Sequence, residues 1–324
     1  MNKTATAPET LVDAIRHFAD TETCLTFLAG LRWPNGVSCP HCSSSEVTFL
    51  ADYRRWKCRQ DHPQRQFSIK TGTIFEDSPL GLNKWLPAVW LIVNAKNGIS
   101  SYEVARALGV TQKTAWFMLH RIRLAMQRGS LNKIRGEVEI DETFIGGKAR
   151  FMHRNKRRAK INGTGGTGKA AIMGLLERHG PDGHSTVRAR VIPNVKRRVL
   201  SPEVRQHVHA GSEVFTDALQ SYKDLGTDYA HQVIDHAESY AKGKVHTNGL
   251  ENFWSLLKRG IKGTYVSVEP FHLFRYLDEE AFRFNSRKTT DGSRFLAALH
   301  TIVGRRLTYK TLIGQGSELA TTPA

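Results

Sequence analysis

The chain has 324 residues, 40% of them hydrophobic and 24% charged, and its 47 Lys and Arg against 30 Asp and Glu leave a net charge of +17. That composition excludes wholesale disorder and allows two or three domains, one large enough for a catalytic core. An excess of this sign and size points to a polyanionic partner, nucleic acid above all, because each Lys or Arg set on a phosphate releases condensed counterions. No basic amphipathic helix suited to a membrane surface stands out. The longest apolar run, Trp85–Val93, contains Pro87 and is too short to cross a bilayer. The opening MNKTATAPETLVDAIRHF has no apolar signal core ahead of its acidic residues, so the expected compartment is the cytoplasm, on the nucleoid. In that reducing setting the four cysteines are read for metal ligation, not for disulfides.

In chain order, residues 1–30 are expected to be helical, with Leu11, Ile15 and Phe18 followed by Cys24, Phe27 and Leu28 on one apolar face. Cys24 is read as core. Residues 31–80 change character, the short β-like runs EVTFL, YRRWKC and RQFSI being broken by Pro, Gly and Ser. Among them Cys39-Pro-His-Cys42, then 15 residues, then Cys58-x-x-x-His62 make two close ligand pairs. Structural Zn2+ takes such a set: each pair is a tight knuckle, and the metal joins two knuckles across a segment poor in core. His41 is expected to point away. The plain alternative, three buried thiols and a surface His, leaves a Trp-bearing segment with little to hold it together.

Residues 81–130 read as helical, with a helix-turn-helix in ISSYEVARALGVTQKTAWFMLHRIRLAM. Ser101 is expected to cap a helix Tyr102–Leu108, Gly109 to supply the turn, and Thr111 to cap a second helix running to about Met126. Val104, Ala105, Leu108, Val110, Ala115, Met118 and Leu119 would form the seam. Gln112, Lys113, Trp116, His120, Arg121 and Arg123 would then be exposed, a set suited to phosphates and base edges in a major groove. An ordinary helical hairpin with a solvated basic face is the bland alternative.

Residues 135–290 carry the strand patterns VEIDETFIGG, KAAIMGLLER, STVRARVIP, SEVFTD and YAHQVID, with helical SPEVRQHVHA and NGLENFWSLLKRG among them. Strands alternating with helices predict an α/β or α+β domain, followed by a basic tail at 291–324. The run Gly163–Lys169 matches the glycine pattern of a P-loop, but Ala170 follows, which cannot ligate Mg2+, and no strand precedes it. A glycine-rich hairpin loop is the better reading, with no nucleotide bound. The basic runs Lys148–Lys160 and Lys196–Arg198 are read as DNA-tracking faces, with plain solvated faces as the alternative.

Phosphoryl transfer by two metal ions needs carboxylates from separate chain segments converging on one point. Asp141 interrupts the apolar positions Val138, Ile140 and Phe144 of a strand, and Asp217 ends the run Val214-Phe215-Thr216 where a strand tip meets a loop. An acid in either place must be paired or metal-bound. Glu139 shares a strand face with Asp141 and is its local rival, whereas Glu142 should point the other way. In NGLENFWSLLKRG, Leu250, Phe253, Trp254 and Leu257 make a buried helical stripe, and Asn248, Glu251, Asn252, Ser255 and Lys258 a polar one. Lys258 would face the cleft that Glu251 faces. On spacing alone each acid reads first as a surface or salt-bridged carboxylate and only second as a metal ligand.

The stretches RWKC, FSIKTGTIFEDS, EIDETFIGGK, FTDALQSY, VHTNGLENFWSLLKRGIKGTY and RRLTYK resemble those of insertion-sequence transposases with an N-terminal zinc ribbon and a DDE-type, RNase H-like (ISXO2-like) catalytic domain. The resemblance runs from about residue 20 to 310. It implies a mixed sheet flanked by helices, with Asp141, Asp217 and Glu251 as the three carboxylates holding two Mg2+ or Mn2+ ions. Asn248 is the alternative third ligand, since some members use Asn there. Lys258, Gln112, Lys113, Arg121 and Arg123 would touch DNA, and Cys39, Cys42, Cys58 and His62 would hold Zn2+. The implied activity is metal-dependent cleavage and strand transfer at the ends of a mobile element, by a homo-oligomer in the synaptic complex. The rival readings are a DNA-binding regulator with an idle nuclease domain, separable by metal-dependent nicking, and a P-loop ATPase, separable by ATP turnover.

Overall fold

The helical spacing at the N-terminus produces two short helices. α1 (Leu11–His17) starts at Thr10, whose hydroxyl accepts from the Asp13 amide, and α2 (Thr21–Arg32) starts at Asp20, which accepts from Thr23. Their buried stripe is Ala14, Phe18, Cys24, Phe27 and Leu28, while Leu11 and Ile15 stay exposed. The Cys24 thiol donates to the Phe18 carbonyl, so it serves the core. In this computed structural model residues 7–127, 132–147, 153–155, 168–180, 183–217, 219–234 and 245–315 are described. The chain divides into two compact units, one formed by residues 1–128 with 288–324 and the other by residues 129–287.

In the first unit β1 (Val47–Leu50), β2 (Arg55–Cys58) and β3 (Gln66–Phe67) form an antiparallel sheet in that order. Its apolar content is little more than Trp56 stacked on Phe67 and set edge-on to Trp33. So small a core cannot hold a ribbon by burial alone. Then come α3 (Leu82–Asn94), α4 (Ser101–Leu108) and α5 (Gln112–Met126). Trp85, Leu86, Val89, Trp90 and Ile92 make α3 the buried spine of this unit.

The second unit is built on a five-stranded sheet of β4 (Glu137–Ile145), β5 (Ala170–Glu177), β6 (Thr186–Ile192), β7 (Glu213–Asp217) and β8 (Ala230–Ile234), in spatial order β6-β5-β4-β7-β8. β5 runs antiparallel to both β4 and β6, whereas β7 and β8 run parallel to β4. The parallel pair requires a crossover, supplied by α6 (Arg197–His207). One sheet face buries Val138, Ile140, Met173 and Leu175 against Leu200 and Val204 of α6. The other buries Ile172, Leu176 and Val187 against Leu250, Phe253, Trp254 and Leu257 of α7 (Asn248–Arg259) and Leu273 and Leu277 of α8 (Leu273–Asn285). Burial on both faces explains why β5 reads as an almost unbroken apolar run. Each of the five strand patterns named above forms a strand. The glycine-rich run at 163–167 and most of the basic run at 148–160 lie outside the described residues.

Beyond α8 the chain returns to the first unit. α9 (Asp291–Leu299) sets Phe295, fully buried, against Phe18, Phe27 and Trp90, and the backbone of Ile74 donates to Ile302. Residues 291–315, set out above as a basic tail, therefore include core of the N-terminal unit, closing with α10 (Tyr309–Leu312). Among the described residues no helix is long and apolar enough to cross a membrane.

Candidate active site

β4 is the central strand of the sheet, so an acid on it is half-buried wherever a helix does not cover it completely. Asp141 is such a residue. Its Oδ2 accepts from the Trp254 indole at 2.9 Å and its Oδ1 from the Glu142 amide at 2.8 Å, which fixes the carboxylate plane. Burial raises its pKa to about 6, against the lowering effect of these two donors and with help from the nearby charges of Asp217 and Glu251. Asp217 ends β7 beside it, half-buried, one oxygen accepting from the Leu219 amide at 3.0 Å. Glu251 sits exposed in the first turn of α7. Asp141, Glu142, Thr143, Glu251, Trp254, Ser255, Lys258, Arg259 and Lys262 line an open cleft of about 600 Å³. Of the residues named from the sequence, Asp141, Glu251 and Lys258 line this cleft, Asp217 approaches Asp141 within 4.8 Å without lining it, and Arg259 and Lys262 add two cations that sequence reading missed. Lys262 could have been found: it lies one turn beyond Lys258, at helical spacing. Asn248 is exposed at the first position of α7 and is not part of the cleft lining.

The two neighbouring glutamates exchange the roles expected of them. Glu139, the expected rival of Asp141, is buried and neutralised: Arg178 donates to its Oε1 at 2.8 Å and the Leu250 amide to its Oε2 at 3.0 Å. A negative charge at that spot also suits the positive end of α7. Glu142 does not point away. One of its carboxylate oxygens, one of Asp141's and one of Asp217's all lie within 4.8 Å of one another. Burial, reinforced by Asp217 and Asp141, pushes its pKa up to about 9. Oxygen donors so grouped are what a hard divalent cation takes, and the crowding of like charge is what such a cation relieves.

In the first unit Cys39, Cys42, Cys58 and His62 each offer one atom within 4.8 Å of the others. The Cys42 and Cys58 sulfurs stand 3.6 Å apart, and Cys39 Sγ lies 3.5 Å from His62 Nε2. Sulfurs bound to a tetrahedral zinc at ~2.3 Å are separated by roughly 3.8 Å, so the donor set fits that ion. The fourth ligand offered is indeed the histidine.

The helix-turn-helix needs two corrections. Ser100, not Ser101, caps α4, in a reciprocal capping box with Glu103, and the helix starts at Ser101. Gly109 then takes φ +59 and Thr111 caps α5 as expected. Arg121, Arg123 and His120 are not exposed: their relative exposures are 3%, 1% and 0%. The C-terminal half of α5 runs through the core against α3 and α9, and the Arg121 guanidinium lies over Trp85 and Phe117 and donates to the Glu76 carbonyl. Burial pulls its pKa down to about 10, so it remains charged at neutral pH. Lys113 is exposed beside Tyr309, and Gln112, half-buried, donates to Ser101 at 2.8 Å.

A sheet ordered β6-β5-β4-β7-β8 with acids on its two innermost parallel strands is RNase H-like, and along the chain it follows a Cys3His zinc ribbon. Comparison with known families agrees at both ends. Residues 133–285 match the ISXO2-like transposase domain, and residues 19–60 match the transposase zinc-ribbon domain. A protein of transposable element ISH50 from Halobacterium salinarum is 28% identical over 257 residues, covering 76% of this chain and 84% of that protein. A transposase-like protein of Haemophilus influenzae is 34% identical over 97 residues, 30% of this chain and 78% of its own length. The chain belongs to the ISXO2-like family of transposases with an N-terminal zinc ribbon.

Proposed function

We propose that the protein cuts DNA at the ends of an insertion sequence and joins the freed 3′ ends to a target. The observation that supports this reading is that Asp141 of β4 lines one cleft with Glu251 and Lys258 of α7, while a carboxylate oxygen of Asp217, at the end of β7, lies within 4.8 Å of one of Asp141's. The carboxylates would hold divalent Mg2+ or Mn2+, which supplies Lewis-acid activation of the attacking oxygen and stabilisation of the leaving one. Water, then a DNA 3′-OH, attacks the phosphodiester in line and displaces the 3′ oxygen, so no bond to the protein forms. Trp254 and the Glu142 amide keep Asp141 turned toward the cleft while this happens. Lys258, Arg259 and Lys262 on the other wall suit the backbone phosphates of the strand being cut. Lys113 and Gln112, at the start of α5, are proposed to meet the DNA of the element ends, and the ribbon to hold its Cys3His set around structural Zn2+. The test is Asp217→Asn in the full-length protein. It is expected to fold and to bind terminal DNA while losing metal-dependent nicking, and a variant that still nicks removes the mechanism.

A further inference from the structure

Glu142 has no part in the three-acid scheme, yet among the described residues nothing else accounts for it. Its neighbours on β4 are satisfied: Glu139 by Arg178 and the α7 amide, Asp141 by Trp254. Glu142 Oε1 is buried and, among the described residues, accepts no hydrogen bond. A buried carboxylate oxygen left in that state is costly, and it persists in folded proteins where a ligand or ion takes it up.

The strand geometry explains how this side chain reaches the site. Hydrogen-bonded pairing between β4 and β7 ends at Glu139 opposite Phe215. Beyond that pair the two strands share no ladder, and the space between their ends admits the Glu142 carboxylate alongside Asp141 and Asp217, within 4.8 Å of both. Strict alternation would have sent it to the far face.

We propose that Glu142 is itself a ligand of the divalent-metal site, so that four acids rather than three hold the ions. The proposal rests on the nuclease reading of the cleft. Charge supports it. Asp141, Asp217 and Glu251 supply three negative charges where two divalent ions bring four positive ones, and Glu142 closes the difference before any phosphate enters. Hard cations also take carboxylates readily from flexible, unequal positions, as two adjacent strand residues would present them.

The test titrates Mn2+ alone into full-length, zinc-loaded protein without DNA, by calorimetry and by the electron paramagnetic resonance of free Mn2+. Wild type is compared with Glu142→Gln, Glu142→Ala and Asp141→Asn. Circular dichroism melts without Mn2+ establish that each is folded. Both Glu142 variants are expected to bind Mn2+ roughly tenfold more weakly or worse, the scale on which loss of even a supporting group weakens metal sites. Asp141→Asn is expected to weaken it as well. If either folded Glu142 variant binds Mn2+ as wild type does while Asp141→Asn does not, the proposal is overturned and the cleft remains a three-acid metal site. If wild type takes up no Mn2+ at all, the metal reading of the cleft falls, and this inference with it.

Discussion

Gly174 stands directly opposite Asp141 on the neighbouring strand, beneath the indole that holds Asp141. A methyl group there would lie 2.6 Å from Trp254 Cζ2, and 2.8 Å from Trp254 Cη2 and from Leu250 Cδ2. Carbon atoms rest at ~3.5–4.0 Å, so Gly174→Ala forces the indole and the helix that bears it back by roughly 1 Å. The Trp254–Asp141 hydrogen bond is 2.9 Å long, and the same retreat stretches it to about 3.9 Å, beyond useful range. Overpacking of this kind costs about 1–3 kcal/mol and the lost bond about 0.5–1.5 kcal/mol. Together they come to about 2–4 kcal/mol, a fall of roughly 5–15 °C in the melting of a unit this size. Differential scanning calorimetry reads the first effect and metal-dependent nicking of terminal DNA the second, both expected to fall. Trp254→Phe removes the ring atoms that the methyl would strike. The Gly174→Ala/Trp254→Phe double variant should therefore be more stable than the sum of the singles by about 1 kcal/mol or more, yet remain impaired in nicking because Asp141 has lost its indole donor and keeps only the Glu142 amide of the two described. Gly174→Ala with wild-type melting and wild-type nicking would refute the idea that the indole must pack closely on Gly174 to set the first acid.

Arg178→Gln removes the guanidinium that donates to the buried Glu139 at 2.8 Å; the expected cost is about 3–5 kcal/mol in urea unfolding of the second unit, and a loss below about 1 kcal/mol contradicts the pairing. His231 shares a hydrogen bond of 2.8 Å with Thr216, and burial holds its pKa below the usual 6.5. The unfolded chain then binds a proton that the folded chain resists, so this stability is present above pH 6.5 and is lost as the pH falls below it. His231→Gln should flatten that acid limb in melts taken between roughly pH 7 and 5, and unchanged slopes count against it. Lys113→Ala is expected to weaken binding to terminal DNA and to lower the slope of log affinity against log salt by about 1, whereas Arg121→Ala should cost stability and leave that slope alone. The reverse pattern would restore Arg121 to the DNA surface.

The parts of this protein that were legible in its sequence are those whose signal is local. β5 is apolar almost throughout because both faces of the sheet are covered there, the turn of the helix-turn-helix is a glycine at positive φ, and the ribbon's candidate ligands come in close pairs. The parts that were not legible depend on what lies across the chain. Arg121 and Arg123 look like surface cations until α3 and α9 are laid against α5, and α9 comes from the far end of the sequence. Likewise Phe295 reads as a lone aromatic in a basic tail until Phe18, Phe27 and Trp90 surround it. Glu142 was misread because alternation is a rule for a paired strand, and β4 has lost its parallel partner at that point.

Glu139 and Asp141 pose the same problem in its sharpest form, since they share a strand face and differ only in what covers them. Each accepts one hydrogen bond from α7, Glu139 from the Leu250 amide at 3.0 Å and Asp141 from the Trp254 side chain at 2.9 Å. Two residues of strand advance about 6.6 Å and four residues of helix about 6 Å, so the two bonds are in step. The helix is thereby pinned to the strand at two points and cannot slide by a turn without breaking both. Glu251, one residue beyond the first pin, is carried to the mouth of the cleft by that register. The inner acid, closed in by Arg178, is spent on placing the helix. Only the outer acid, with the cleft on its open side, is left for chemistry.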